Sequence, residues 1–222
     1  MKQNKNNLSW LYLLIAGLIS AIGIVIGYIL VLALTTPTED SAEMAFVQTS
    51  ANTGVTAIEP AVPVEDFTLT DQNGEEFGLS DLQGKPTLLS WGYTHCPDIC
   101  PLTLREMRQI REDLGEEAEA VNFVFISVDG ERDTPQVLNR YFGALDVAFV
   151  HGLTGDPATV REIGTPLGVD FAYTEPDENG FYNVNHTAGM FLLDADGNWI
   201  RRYTYGIDRR TLVNDLEDFL SR

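Results

Sequence analysis

The sequence predicts an α/β domain in which a mixed β-sheet carries helices on both faces, preceded by one apolar N-terminal helix. Two patterns predict this class: apolar runs of strand length alternate with amphipathic runs of helix length, and the last two strands flank a tight turn. The composition, 44% hydrophobic and 21% charged, agrees with a globular protein and excludes a disordered or collagen-like chain.

The first element is an uncharged run from Leu8 to Leu34. As a helix it would exceed the roughly 30 Å hydrocarbon core of a bilayer, and it is longer than the apolar part of a signal peptide. We therefore expect an uncleaved transmembrane anchor at 8–34. Lys2 and Lys5 precede it and acidic residues follow it, so residues 1–7 are expected in the cytoplasm and the domain on the periplasmic or extracellular face of the cell membrane.

Residues 35–63 are expected to form a tether between this anchor and the domain. They mix Thr, Ala, Ser and Pro without a sustained helical or strand period. Such composition predicts little fixed structure. The domain is accordingly predicted to occupy residues 64–222.

The domain opens with a predicted hairpin, in which strands 66–70 and 75–79 flank an Asp-Gln-Asn-Gly turn. The continuous apolar run at 87–93 predicts a central strand that is buried on both faces. The pattern at 101–114 predicts a helix with one apolar side, and 121–128 predicts a second buried strand.

The remaining elements continue the alternation. Asp133, Thr134 and Pro135 predict the cap and first turn of the next helix. The predicted elements are helix 134–145, strand 148–150, helix 156–167, the hairpin strands 189–193 and 198–205, and a final helix at 208–220.

The chain is strongly acidic, with 33 Asp and Glu residues against 14 Lys and Arg and a formal charge of -19. Such a surface repels nucleic acid, so the sequence excludes a nucleic-acid binder. An acidic surface remains compatible with the binding of cations, with basic protein partners, or with a role in solubility alone.

Two cysteines, Cys96 and Cys100, follow the central strand and converge on one side of a helical turn. A structural disulfide is one interpretation, although so short a loop gives little entropic stabilisation. A redox site is another, since a helix N-terminus stabilises thiolates, but thioredoxins have two residues between their cysteines and this chain has three. A copper site is the third, because two thiolates with one imidazole suit copper.

The imidazole for such a site has three candidates. His95 adjoins Cys96, so its side chain can point elsewhere, and His151 follows a predicted strand, where a structural role is expected. His186 lies in a predicted loop rich in Asn and Gly, shortly before the strand at 189–193. The residues alone leave the choice open.

Three segments resemble the Sco/SenC family of membrane-anchored copper proteins: GYTHCPDICP at 92–101, SVDGERDTP at 127–135, and the late His186 before a strand that ends in Asp-Ala-Asp-Gly. The resemblance covers roughly residues 64–222. Two departures, Gly130 where the family usually has Pro and Asn185 where Asp is common, are expected to affect only the surroundings of the ligands.

The resemblance implies a thioredoxin-like fold that binds one copper ion through Cys96, Cys100 and His186. It also implies that Asp129 and Asp133 lie near the site, supporting the ligands or docking a partner. The implied function is that of a metallochaperone, without enzymatic turnover, which assists assembly of the CuA centre of cytochrome c oxidase. The implied partner is the CuA domain of oxidase subunit II.

A thiol:disulfide oxidoreductase is the alternative function, with Cys96 and Cys100 as the redox-active pair that reduces the oxidase subunit or other exported proteins. General thioredoxin-type catalysis is disfavoured, because thioredoxin folds place a cis-proline before the strand facing the cysteines and no Pro occurs at 177–222. A peroxiredoxin-type peroxidase is also disfavoured, since the spacing of Thr94 and Cys96 is wrong by one residue.

Overall fold

The computed structural model describes Gly23, Val25, the backbone of residues 46–49, and residues 53–221. The chain divides into two compact units, 1–44 and 45–222. The predicted cytoplasmic segment 1–7 and the predicted anchor 8–34, apart from Gly23 and Val25, lie outside the described residues. Within the described part, no helix combines the length and the apolar character needed to cross a membrane.

Residues 46–49 and 53–221 form eleven strands and four α-helices. The strands are β1 (Phe46–Thr49), β2 (Val55–Pro63), β3 (Thr68–Asp71), β4 (Glu76–Gly78), β5 (Thr87–Gly92), β6 (Asn122–Ser127), β7 (His151–Thr154), β8 (Phe171–Tyr173), β9 (Val184–His186), β10 (Met190–Leu193) and β11 (Asn198–Tyr203). The helices are α1 (Ile99–Leu114), α2 (Pro135–Leu145), α3 (Pro157–Gly164) and α4 (Arg209–Leu220).

Nine of the strands form one mixed sheet in the order β1-β2-β11-β10-β5-β6-β7-β3-β4. Strands β5, β6 and β7 are parallel, whereas β10 pairs with β5 in the antiparallel sense. All six residues of β5 are buried. The predicted α/β class, a mixed sheet with flanking helices as in a thioredoxin-like fold, is confirmed.

The core has two layers, one on each face of this sheet. Helices α1, α2 and α4 pack on one face, where Leu104, Phe142 and Leu212 are buried together with Leu88 of β5. The next residue of β5, Leu89, belongs to the opposite layer, which also contains α3. Because successive strand residues point to opposite faces, a strand covered on both sides needs an unbroken apolar run.

The strand predicted at 148–150 is wrong by a few residues, because β7 is His151–Thr154. Val150 is buried in the core from the preceding turn, so its apolar character does not mark a strand. The ladder instead pairs Gly152 with Phe125 of β6. The ring of Phe142 occupies the place where a Cβ at residue 152 would lie, which requires glycine there.

The expectation of little fixed structure at 35–63 does not hold for residues 55–63, which form β2. This strand pairs with β11, with Val55 opposite Tyr203 and Pro63 opposite Asn198, and β1 pairs with β2 in turn. Only Ile58 of β2 is buried. Backbone pairing to β11 therefore holds a strand whose side chains carry no strong apolar alternation, which explains why the sequence pattern missed it.

Candidate metal centre

Both cysteines lie where the central strand leads into the first helix. Cys96 is half-buried in the loop after β5, and its amide donates to the carbonyl of Tyr93 at 3.3 Å. Cys100 is in the first turn of α1, with 2% of its surface exposed. Neither cysteine forms a disulfide. One accessible and one buried thiol thus face the same end of the sheet.

His186 reaches this place through a small hairpin that the sequence pattern did not predict. Strands β8 and β9 pair as a separate two-stranded sheet in which Phe171 is opposite His186. The Nε2 atom of His186 lies 3.5 Å from the Sγ of Cys100, although the two residues are 86 positions apart in the chain.

The imidazole is oriented by a backbone contact. Nδ1 of His186 lies 3.0 Å from the carbonyl oxygen of Thr187. A carbonyl oxygen only accepts, so Nδ1 must donate its proton, and in the neutral ring the lone pair is then on Nε2, facing the sulfur. This orientation is the one that a metal-binding histidine needs.

An open cleft of about 460 Å³ exposes this group to solvent, and both Cys96 and His186 line it. Tyr93 forms another wall, with its ring edge-on to the imidazole at 6.0 Å between ring centroids and an interplanar angle of 88°. Of the three predicted ligands, the structure brings Cys100 and His186 together and places Cys96 in the same cleft.

Burial controls the protonation of the site. It raises the pKa of the Cys100 thiol, and the neighbouring Cys96 and Asp133 raise that pKa further. Burial also lowers the pKa of His186. At neutral pH the site therefore contains a protonated Cys100 thiol beside the neutral imidazole of His186. A soft cation that binds there must displace the thiol proton.

Asp133 holds the cysteine loop in place. Its side chain is fully buried and accepts hydrogen bonds from the Thr94 amide at 2.8 Å, the Thr94 hydroxyl at 2.5 Å and the Ser127 hydroxyl at 2.7 Å. The predicted capping role is wrong, because the N-cap of α2 is Thr134 and makes no side-chain cap bond. Sequence reasoning missed Thr94 and Ser127 as its partners.

Asp129, also fully buried, connects the same region to the β8–β9 hairpin. Its carboxylate accepts from Arg132 Nε at 2.6 Å and from the Tyr182 hydroxyl at 2.9 Å. The Arg132 guanidinium lies 3.5 Å from the Tyr182 ring centroid and donates to the Tyr182 carbonyl. The sequence did not identify Arg132, because an Asp and an Arg three positions apart have the same spacing whether their ion pair is exposed or buried.

His95, Asp129 and Asp133 form a second group whose polar atoms lie within 4.8 Å of one another. Their geometry is that of a hydrogen-bond network. Both carboxylates already accept from protein donors, and His95 Nδ1 lies 3.1 Å from the Thr94 hydroxyl. The Arg132 guanidinium on Asp129 would repel a cation, and copper favours thiolates over carboxylates.

His151, the third histidine, lies in β7 with its ring 5.1 Å from that of Phe77. It does not line the cleft that contains Cys96 and His186. Its packing against an aromatic ring gives it a structural role in the sheet. It therefore serves as a matched control for substitutions of His186.

Gly92, the last residue of β5, permits the close approach of Cys100. A Cβ at this position would lie 2.9 Å from the Cys100 Sγ and 2.8 Å from the Phe125 ring.

We expect Gly92→Ala to shift the thiol, to weaken metal binding about tenfold, and to destabilise the fold by about 1–3 kcal/mol. Apo thermal melts and copper competition measure both effects. Gly143→Ala, where a Cβ meets open space, is the control, and equal effects of the two variants would contradict the packing argument.

The sequence and the fold both resemble known proteins over the region that contains this centre. A family model described as SCO1/SenC matches residues 55–221. The SCO2-like protein of Rickettsia felis is 36% identical over 139 residues, which is 62% of this chain and 67% of that protein.

Two solved structures show the same fold. ScoI of Bradyrhizobium japonicum, solved with copper bound, is 37% identical, with a TM-score of 0.65 over 71% of this chain and 99% of that one. Apo Sco1 of Thermus thermophilus is 35% identical, with a TM-score of 0.65 over 73% of this chain and 94% of that one. The region that the family model matches, residues 55–221, includes both cysteines and His186.

Proposed function

The chain belongs to the SCO1/SenC family, copper-binding proteins of cytochrome c oxidase assembly, and from this premise we propose that it is a copper metallochaperone. It would bind one copper ion through Cys96, Cys100 and His186. Copper is the cargo of the protein, and it leaves when a partner accepts it.

The observation that carries the proposal is the approach of His186 Nε2 to Cys100 Sγ at 3.5 Å, with the other imidazole nitrogen held by Thr187. Two sulfurs and one nitrogen form a soft donor set that suits Cu(I) and disfavours Mg²⁺ and Ca²⁺. Neither Asp129 nor Asp133 is needed as a ligand, because both carboxylates hold the loops around the donors.

The proposed acceptor is the CuA domain of cytochrome c oxidase subunit II. The proposed anchor at 8–34 would keep the domain on the outer face of the cell membrane, where a membrane-embedded oxidase exposes that centre. Confinement to one surface raises the effective concentration of the two proteins for each other.

The oxidoreductase alternative finds less support in the cleft. Burial raises the pKa of the Cys100 thiol, so this thiol is a poor nucleophile at neutral pH and only Cys96 is placed to attack a disulfide. The accessible Cys96 can still exchange with a disulfide, so insulin reduction by the reduced protein is a direct test. Rates like those of thioredoxin would favour the alternative.

A histidine substitution tests the proposed ligand set. We expect His186→Ala to weaken Cu(I) binding at least about a hundredfold, because it removes a donor atom, and to lower the unfolding free energy of the apo protein by only about 1 kcal/mol. Copper competition with a chelator and apo denaturation measure the two quantities.

His151→Ala is the control for this experiment, and it should leave the copper affinity unchanged. A His186→Ala protein that binds copper like the wild type would remove His186 from the ligand set. A large loss of apo stability with unchanged affinity would make His186 a packing residue.

A further inference from the structure

A second pocket, of about 310 Å³, adjoins the copper cleft. Its lining residues are Glu131, Tyr173, Thr174, Glu175, Pro176 and Tyr182. Thr174 also lines the copper cleft, and Tyr182 is followed by Asn183, another residue of that cleft. The two depressions are therefore neighbours on one surface.

Two aromatic rings, those of Tyr173 and Tyr182, form part of the wall of this pocket, and hydrogen bonds hold both of them. The rings of Tyr173 and Tyr182 stand nearly perpendicular, 5.7 Å apart between centroids. Each hydroxyl is already used, since Tyr173 donates to the Val128 carbonyl at 2.7 Å and Tyr182 donates to Asp129. Tyr173 nevertheless keeps 40% of its surface exposed. The pocket thus presents π-surface rather than free hydroxyl groups.

The charges around the pocket favour a cation. The arginines nearby are neutralised, Arg132 by Asp129 at 2.6 Å and Arg161 by Asp170 at 2.7 Å. Glu131 and Glu175 are exposed, and neither takes part in an ion pair among the described residues. Two carboxylates therefore remain available beside the aromatic walls.

The protein itself shows which kind of cation such walls bind. Guanidinium groups lie over the rings of Tyr182 and Phe171, at 3.5 Å and 4.1 Å from the ring centroids. In the described part of the chain, no cation lies over the Tyr173 ring. Arginine and lysine side chains combine an apolar stem with a charged head, which matches aromatic walls with carboxylates at the rim.

We propose that this pocket receives an arginine or lysine side chain of the protein that accepts copper, so that the partner is oriented with its metal site over Cys96. The inference rests on the proposed copper transfer for the identity of the partner. The net charge of -19 favours the approach of a basic surface. The pocket would hold one basic side chain of that surface next to the copper cleft.

A small cationic probe tests the pocket without copper. N-acetyl-arginine amide is titrated into the full-length protein in detergent, with tyrosine ring NMR signals as the readout and N-acetyl-citrulline amide as the uncharged control. We expect the arginine compound to shift the Tyr173 and Tyr182 signals and the citrulline compound to leave them in place. Equal responses to the two compounds would overturn the proposal.

Variants locate the binding. A Glu131→Gln/Glu175→Gln double variant should bind the arginine compound at least about fivefold more weakly, as should Tyr173→Leu, which removes the ring. Glu178→Gln, outside the pocket, and Tyr173→Phe, which keeps the ring, should bind like the wild type. Unchanged binding in both the Glu131→Gln/Glu175→Gln and Tyr173→Leu variants would place the cation elsewhere and overturn the assignment.

The partner is tested separately, with the CuA-bearing domain of the oxidase subunit. The Glu131→Gln/Glu175→Gln variant should bind copper like the wild type but associate with this domain at least about fivefold more weakly. If association is unaffected, the pocket does not dock this partner and the proposal is wrong. If the wild type binds no copper, the proposed function fails, while the arginine titration still decides whether the pocket binds a cation.

Discussion

A Cys96→Ser/Cys100→Ser double variant is expected to lose copper binding altogether. The change leaves His186 as the one remaining donor of the proposed set, and a hydroxyl is a poor ligand for a soft cation. Anaerobic titration with Cu(I) followed by metal analysis should give one equivalent for the reduced wild type and none for the variant. The fold should persist, because serine is close to cysteine in size, and denaturation of the apo variant checks this for the buried position of Cys100.

The oxidised wild type provides an independent check of the same site. A disulfide between Cys96 and Cys100 leaves both sulfurs without a thiolate, so copper binding should disappear in the oxidised protein and return after reduction. The proposed location, the outer face of the cell membrane, is an oxidising compartment, so a reductant would be needed there to keep the two thiols reduced. Copper binding by the double variant or by the oxidised protein would contradict the proposed ligand set.

Asp133→Ala is expected to have the largest effect on stability, lowering the unfolding free energy by about 3–5 kcal/mol. The substitution removes the fully buried carboxylate that accepts from the Thr94 amide, the Thr94 hydroxyl and the buried Ser127 hydroxyl. Because Thr94 lies in the loop that carries Cys96, copper affinity should also fall about tenfold to a hundredfold. Denaturant unfolding of the apo protein and copper competition measure the two losses.

Asp156→Ala is the matched control for this variant. Asp156 is exposed, caps α3 and accepts from the Ala158 amide at 2.9 Å. Its loss should cost about 1 kcal/mol and leave copper binding unchanged. If Asp133→Ala proved no more harmful than Asp156→Ala, Asp133 would not hold the cysteine loop.

The sequence by itself determined the central architecture of the domain. The apolar run at 87–93 predicted β5, and the structure confirms a strand buried on both faces. The hairpin turns predicted β3–β4 and β10–β11, whose strands do pair. These predictions succeed because burial on both faces and tight turns leave local signals in the chain.

The sequence also singled out the residues around the site. Cys96 and Cys100 follow β5 at the sheet end where an open α/β fold collects reactive groups. The choice of His186 among three histidines came from the family resemblance, because nothing local distinguishes a loop histidine that binds a metal from one that is solvated. As copper ligands, all three residues remain a prediction that the experiments above decide.

Only the tertiary structure decided which distant residues meet. The approach of His186 to Cys100 depends on the β8–β9 hairpin, whose three-residue strands are too short to leave a periodic pattern. The structure likewise pairs β2 with β11, two strands that are far apart in the chain. It also brings the Asp133 carboxylate to the hydroxyls of Thr94 and Ser127, contacts that no local sequence pattern indicates. Such contacts depend on backbone ladders and buried hydrogen bonds, whose partners are chosen by the folded arrangement and not by the neighbouring residues.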